Sequence, residues 1–474
     1  MLIPLMNVGK NNPFLMISNN NIVTKIARKI GMDGAIAYSS AARVFQAFAG
    51  VISIFFIATF LTGEEQGFYY TFGSILAIQV FFELGFTGIM TQYVAHEVVH
   101  LKQNTTYGYE GENRYKSRLS YLIKFCFKWY SLIAILFFVV VNIVGVFYFR
   151  KFDTTGGAVN WLVPWLILAF STAIKLLQAP FTAIFSGLGK VKEMNMITFY
   201  QQIIIYVCQW SLFACGLKLY VVGVSSMLGV LVWFFFVWKS NLWRLIASLL
   251  RVKITETISY VKEIFPYQWK IALSWISGYF IFQLFNPVLF ATEGAVVAGQ
   301  MGMTLSVLNA IQALSMSWQN TKVPLYSGLI EMKQYSELDN VFNRTLKQMM
   351  LITLSLLVFM TVGLEVLRLS HVAIGSSILG DRFLTFWPTF MMSLTVLSNQ
   401  LVGSWATYLR CHKQEPLLAN SVVIGLLCCF STLIIGGKTG LYGIVIGYFI
   451  IKCFISQPWA YMIFKKKKAE WHYV

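Results

Sequence analysis

The residues best placed to do chemistry in this chain are full charges inside apolar stretches. Arg43, Glu83, Lys175, Lys270 and Lys452 each fall in a run long enough to cross hydrocarbon, since roughly 20 helical residues at ~1.5 Å rise cover ~30 Å. Facing lipid, such charges cost roughly 3 kcal/mol each, or on the order of 15 kcal/mol for the five. That rivals the stability of a whole domain, so the five are expected to face a polar interior. Helical spacing agrees. One face carries Ser39, Arg43, Gln46, Gly50 and Ser53; a second carries Gln79, Glu83 and Thr87; a third carries Ser171, Lys175, Gln178, Thr182 and Ser186. Two further faces carry Lys270, Ser274 and Ser277, and Asn309, Gln312 and Gln319. Residues three and four apart share one side of a helix.

A single polar stripe is explained equally well by hydrogen-bonded helix packing. Several stripes, four of them centred on charge, point to a wet cavity. Its candidate substrate-binding cations are Arg43, Lys175, Lys270 and Lys452, and its candidate polar lining is Gln46, Gln178, Ser274, Asn309 and Gln312. Four cations against the one carboxylate of Glu83 suit an anionic passenger, and phosphates are what arginine and lysine grip best. Glu83 itself has two readings: a site for H⁺ or Na⁺ coupling, or a counter-ion to Arg43 on the adjacent antiparallel span.

A different chemistry is written in His96-Glu97-Val98-Val99-His100. Two histidines one turn apart with a glutamate after the first are the zinc-binding pattern of metalloproteases. The pattern needs a third ligand, and no carboxylate or histidine downstream stands in a convincing position: Glu110 and Glu112 lie in a polar loop, and Asn286-Pro287 lacks the acid. The expectation is two interfacial histidines, no metal and no enzyme. A phosphate-cradling glycine-rich loop before a helix is also missing, so ATP hydrolysis is not supported.

The elements that must position these residues follow from composition. Apolar residues make up 57% of the chain and charged residues 12%, with a mean hydropathy of +0.66; soluble domains carry about 25% charged residues. The net charge of +18 does not indicate nucleic acid, because the basic residues sit in loops between apolar runs rather than on one face. Seven cysteines without paired spacing read as core residues. Met1 to Ile30 lacks the compact apolar core of a signal peptide.

Twelve spans are expected, near 36–60, 68–93, 120–149, 160–187, 196–216, 219–238, 266–290, 295–318, 347–368, 383–409, 415–435 and 440–463. With both termini inside, the inner segments hold 25 lysines and arginines against 6 outside, the bias that orients membrane proteins. The expected organisation is a cytoplasmic leader (1–35), a first six-helix half (36–238), a cytoplasmic linker (239–265), a second six-helix half (266–463) and a basic tail (464–474). A faint repeat at an offset of 229 residues pairs Glu64 with Glu293 and Gly73 with Gly302. The fold class is therefore an all-α polytopic membrane protein of about twelve transmembrane helices, two halves around a central cavity.

One stretch adds a resemblance. The turn Leu61-Thr62-Gly63-Glu64-Glu65-Gln66-Gly67-Phe68-Tyr69, followed by Phe82-Glu83-Leu84-Gly85-Phe86 in the next span, resembles bacterial O-antigen and polysaccharide flippases of the Wzx type, within the larger group that includes the MATE multidrug exporters. The motifs cover the first hundred or so residues; the number and spacing of apolar segments agree throughout. The resemblance implies an inner-membrane flippase that moves a polyprenyl-diphosphate-linked oligosaccharide by alternating access. Membrane lipid, a polysaccharide polymerase and glycosyltransferases are the implied partners; no cofactor is expected, and coupling to H⁺ or Na⁺ stays open as one of the two readings of Glu83. The alternatives are a MATE-like drug/ion antiporter and, more distantly, an intramembrane zinc protease.

Overall fold

The computed structural model describes residues 34–105, 108–374, 377–412 and 414–472. Within them the chain is a helical bundle, and each expected span coincides with a helical stretch. α1 (Gly34–Phe60) is followed by α2 (Gly63–Leu76), α3 (Gln79–Glu83) and α4 (Phe86–Val98), then by a hairpin of β1 (Lys102–Thr105) and β2 (Gly108–Glu110). α5 (Asn113–Phe152), α6 (Leu162–Leu176), α7 (Gln178–Gly187), α8 (Val191–Ala214), α9 (Tyr220–Lys239) and α10 (Asn241–Leu250) complete the first half. The second half runs α11 (Phe265–Phe282), α12 (Phe285–Glu293), α13 (Ala295–Asn320), α14 (Val323–Glu331) and α15 (Tyr335–Leu369). After the short pair β3 (Ala373–Ile374) and β4 (Ser377–Ile378) come α16 (Phe386–Cys411), α17 (Leu418–Phe430), α18 (Gly436–Ile450) and α19 (Gln457–His472). Seven described stretches are long and apolar enough to cross a membrane, the last of them, Leu418–His472, covering two expected spans. The protein is a multi-pass helical membrane protein.

The acidic turn that ends the first span is a helix start. Thr62 accepts from the Glu65 amide at 3.1 Å and Glu65 accepts from the Thr62 amide at 2.9 Å, so two otherwise unpaired amides are satisfied reciprocally. The second span is not one helix. It breaks at Leu84 and Gly85, with φ of 49° and 68°, directly after Glu83. A left-handed leucine is costly, and a Cβ on Gly85 would drive into the Ile271 side chain, so α11 is seated against this break. The hydropathy pattern runs straight through 82–86 and does not reveal it.

The linker 239–265 is ordered rather than a plain polar connection. Leu242, Leu245, Ile246 and Leu249 are buried on one face of α10, a helical period. The extended stretch after it lies along α5: Ser117 Oγ accepts from the Thr255 and Glu256 amides at 2.6 and 2.8 Å, Ser120 donates to the Val252 carbonyl at 3.2 Å, and Arg114 pairs with Glu256 at 3.1 Å. The basic tail is helical to His472, with Phe464 buried and Lys468 paired to Asp339 at 2.8 Å.

The two halves meet along α2 and α13. A Cβ on Gly67 would overlap the Ala295 carbonyl, so the backbones touch, as small residues allow in membrane helices. Around that contact Phe68, Phe72, Phe149, Trp165 and Phe290 form a buried aromatic cluster, Phe68 and Phe290 meeting edge to face at 4.8 Å.

Candidate functional site

At the Leu61 end of the bundle a polar clasp joins the halves. Gln66, 1% exposed, donates from Nε2 to the carbonyls of Gly299 at 2.8 Å and Arg382 at 3.1 Å. Arg382, 4% exposed, donates to the carbonyls of Leu61 at 2.6 Å and Ala58 at 3.3 Å, the unpaired end of α1. Beside it Glu65 takes an ion pair from Lys218 at 2.8 Å. Both cations fall in loops on the side expected to be outer, and each is tied to the end of α1 or the start of α2.

Away from this clasp the polar stripes open. On α1 Ser53 is buried and held by Trp210 Nε1 at 2.9 Å, whereas Gln46 is exposed. On α6 Ser171 is buried and Lys175 exposed. On α13 Thr304 is buried and Asn309 exposed. Gln46, Lys175 and Asn309 thus each stand farther from Arg382 than the buried Ser53, Ser171 and Thr304, while Gln178 and Gln319, farther still, are buried again.

Between the halves lies a cavity of about 220 Å³. Its amides and hydroxyls include Ser74, Asn286, Asn309, Gln312 and Asn399, and its rings are Tyr70, Phe282, Phe285 and Tyr448. Asn286 donates to Ser74 Oγ at 3.1 Å and Asn399 to the Tyr448 hydroxyl at 3.2 Å; the carbonyl oxygens of both amides have no partner among the described residues. No charged side chain described lines it.

The candidate residues therefore separate. Asn309 and Gln312 line the cavity. Lys452, 5% exposed, stands just behind it: its Nζ is 5.9 Å from the centroid of Phe282, and it lies one turn beyond Tyr448. It occupies a π-helical turn, Ile451–Ser456, a distortion frequent at functional sites. No carboxylate described lies within 4 Å of it. Gln178 is buried and accepts from Gln201 at 3.4 Å, and Ser274 is half-buried; neither lines the cavity. The side chains of Arg43 and Lys270 lie outside the described residues.

Glu83 accepts from the Thr87 hydroxyl, which in turn meets the Tyr130 hydroxyl at 2.7 Å. Its expected partner, Arg43, is among the undescribed side chains.

At the histidine pair the glutamate of the zinc pattern is already committed to an ion pair. Glu97, 2% exposed, is ion-paired with Arg118 Nε at 2.9 Å instead of facing a metal-bound water. His100 stacks on Tyr115 with centroids 4.2 Å apart. No group of three metal-ligating side chains occurs among the described residues.

Sequence reasoning missed Ser74, Asn286 and Asn399. Ser398-Asn399-Gln400, three polar residues inside an apolar run, was the available signal for the last.

No protein-family model matches this chain, and no curated protein matches it either. Solved structures do. Lipid II flippase MurJ in an inward closed conformation is similar at 14% identity with a TM-score of 0.59, over 92% of this chain and 90% of that one. A multidrug resistance MATE family transporter of the MOP superfamily is similar in its inward-facing conformation at 13% identity and TM-score 0.57, over 90% of this chain and 99% of that one. An outward-facing conformation of such a transporter gives 12% and 0.50, over 93% and 95%. At these identities the likeness is one of fold: the chain has the fold shared by MATE transporters and the MurJ flippase.

Proposed function

We propose that this protein is a bacterial inner-membrane flippase for a polyprenyl-diphosphate-linked oligosaccharide, an O-antigen or other surface-polysaccharide repeat unit, working by alternating access without covalent chemistry. The carrying observation is Lys452. A nearly buried ammonium with no carboxylate beside it among the described residues is expensive, and a diphosphate reaching the cavity would compensate it. The exposed Lys175 adds a second cation to the open part of the bundle. A cationic drug would find the opposite sign.

The lysine and arginine bias supports placing the β1–β2 hairpin, α10 and the tail in the cytoplasm. The clasp at Arg382 would then seal the periplasmic side, with the exposed Gln46, Lys175 and Asn309 nearer the side on which a lipid-linked precursor is made. Glycosyltransferases would supply the cargo and a polymerase consume it. Glu83, held by Thr87 beside the helix break, is the carboxylate on which H⁺ or Na⁺ coupling would act.

The test is binding to purified protein in nanodiscs. Bare polyprenyl diphosphate should bind saturably, and Lys452→Met should weaken it by roughly 10- to 100-fold, as expected for loss of a charge-assisted contact of about 1.5–3 kcal/mol. Ethidium should not compete. Tight ethidium binding with no diphosphate binding would favour the drug-antiporter reading instead.

A further inference from the structure

We infer that the 220 Å³ cavity is a subsite for a single sugar ring, the one attached to the diphosphate. This rests on the flippase reading above and adds to it the place where the glycan is read.

Size is the first argument. At about 220 Å³ the cavity is smaller than the ~300–1,000 Å³ of pockets that enclose drug-sized ligands. One pyranose fits; a repeat unit does not, and must continue into the open part of the bundle.

The lining is the second. A sugar is uncharged, apolar on its ring faces and ringed by hydroxyls that both donate and accept. The cavity offers no described charge and mixes aromatic rings with side-chain amides. Phe285 and Tyr448 meet edge to face at 70° with centroids 4.9 Å apart and form part of the wall. Asn286 and Asn399 are fixed through their amide nitrogens to Ser74 and Tyr448, which leaves both carbonyl oxygens buried in the wall without a partner among the described residues. Asn286 is 5% exposed. A buried acceptor left unmade typically costs ~1–3 kcal/mol, so these two oxygens call for hydroxyl donors.

Position is the third. Phe282 belongs to the cavity wall and also carries Lys452 Nζ against its ring at 5.9 Å. A diphosphate at Lys452 and a sugar in the cavity would thus be neighbours, in the order in which they are bonded in the lipid.

The probes are polyprenyl diphosphate, bare or bearing one glucose, galactose or N-acetylglucosamine, and the readout is the ratio of their dissociation constants for each protein. In wild type one sugar-bearing lipid should bind roughly tenfold tighter than the bare one, about 1.4 kcal/mol. Two variants should bring the ratio to about one: Asn399→Leu, which removes an acceptor at similar volume, and Gly73→Met, which fills the cavity from a position where an added Cβ meets nothing within 4 Å. Lys452→Met should weaken both lipids and keep the ratio. A wild-type ratio near one for all three sugars overturns the subsite while leaving the diphosphate reading intact, as does a ratio that survives both cavity variants. If neither lipid binds to wild type, the flippase reading fails and the subsite with it.

Discussion

Gln66→Leu is expected to unlock the Leu61 end of the bundle. The leucine keeps the shape of Gln66 but removes its bonds to the carbonyls of Gly299 and Arg382, at 2.8 and 3.1 Å, both in the second half. These groups are buried, so each loss combines a net bond of ~0.5–1.5 kcal/mol with a stranded carbonyl. For the pair we take about 3 kcal/mol, roughly a hundredfold in the closed-to-open ratio. On the alternating-access mechanism proposed above, the bonds join parts that separate, so the full amount is felt; a contact kept in both states would shift nothing. In a background with the native cysteines replaced, Ser306→Cys places a thiol in the cavity wall. Its labelling from the periplasmic side by an impermeant maleimide should accelerate by that factor while the open state stays minor. Arg382→Met, which instead strands the carbonyls of Ala58 and Leu61, should act in the same direction. Unchanged labelling in both variants would refute the claim that this clasp closes the protein on that side.

Three other outcomes follow from local geometry. His412 stands beyond the end of α16, its Nε2 3.1 Å from His472 Nε2 and its ring under Trp471, and burial lowers its pKa from the ordinary value. A depressed folded pKa gives stability that is present above about pH 6.5 and lost as pH falls through the folded value, so a nitroxide at Glu470 should gain mobility on acidification and lose that response in His412→Phe. Glu97→Gln should lower stability by about 3 kcal/mol because it leaves Arg118 short of its buried partner, whereas His96→Ala with His100→Ala should leave both metal content and transport unchanged; thermal melting and elemental analysis decide. Gly85→Ala places a Cβ against Ile271 at positive φ and should cost about 1–3 kcal/mol, read as a lower melting temperature with α11 displaced.

The spans were legible because hydrophobic runs and flanking lysines act over a window and tolerate local error. The cavity was legible in part: Asn309 and Gln312 belong to one helix face, and Gly73 and Gly302, paired by the faint repeat, both line it. Arg382 was not legible. Its burial depends on carbonyls of Ala58 and Leu61 more than 300 residues away, and in the sequence it is one more loop cation. The break at Leu84 was hidden because hydropathy does not record a change of backbone sign, and α10 because charged neighbours dilute its three buried leucines and one isoleucine. Lys175 and Lys452 carry the same residue type at similar depth, yet one is exposed and the other 5% exposed; only packing separates them.

The central claim is most directly tested by transbilayer movement in proteoliposomes of a fluorescent polyprenyl diphosphate bearing one sugar, followed by loss of emission on adding a membrane-impermeant quencher. The account predicts protein-dependent exchange between leaflets, slowed at least tenfold by Lys452→Met, a loss of about 1.4 kcal/mol. Equal rates in protein-free vesicles and with the wild-type protein, or an unchanged rate in Lys452→Met, would contradict it.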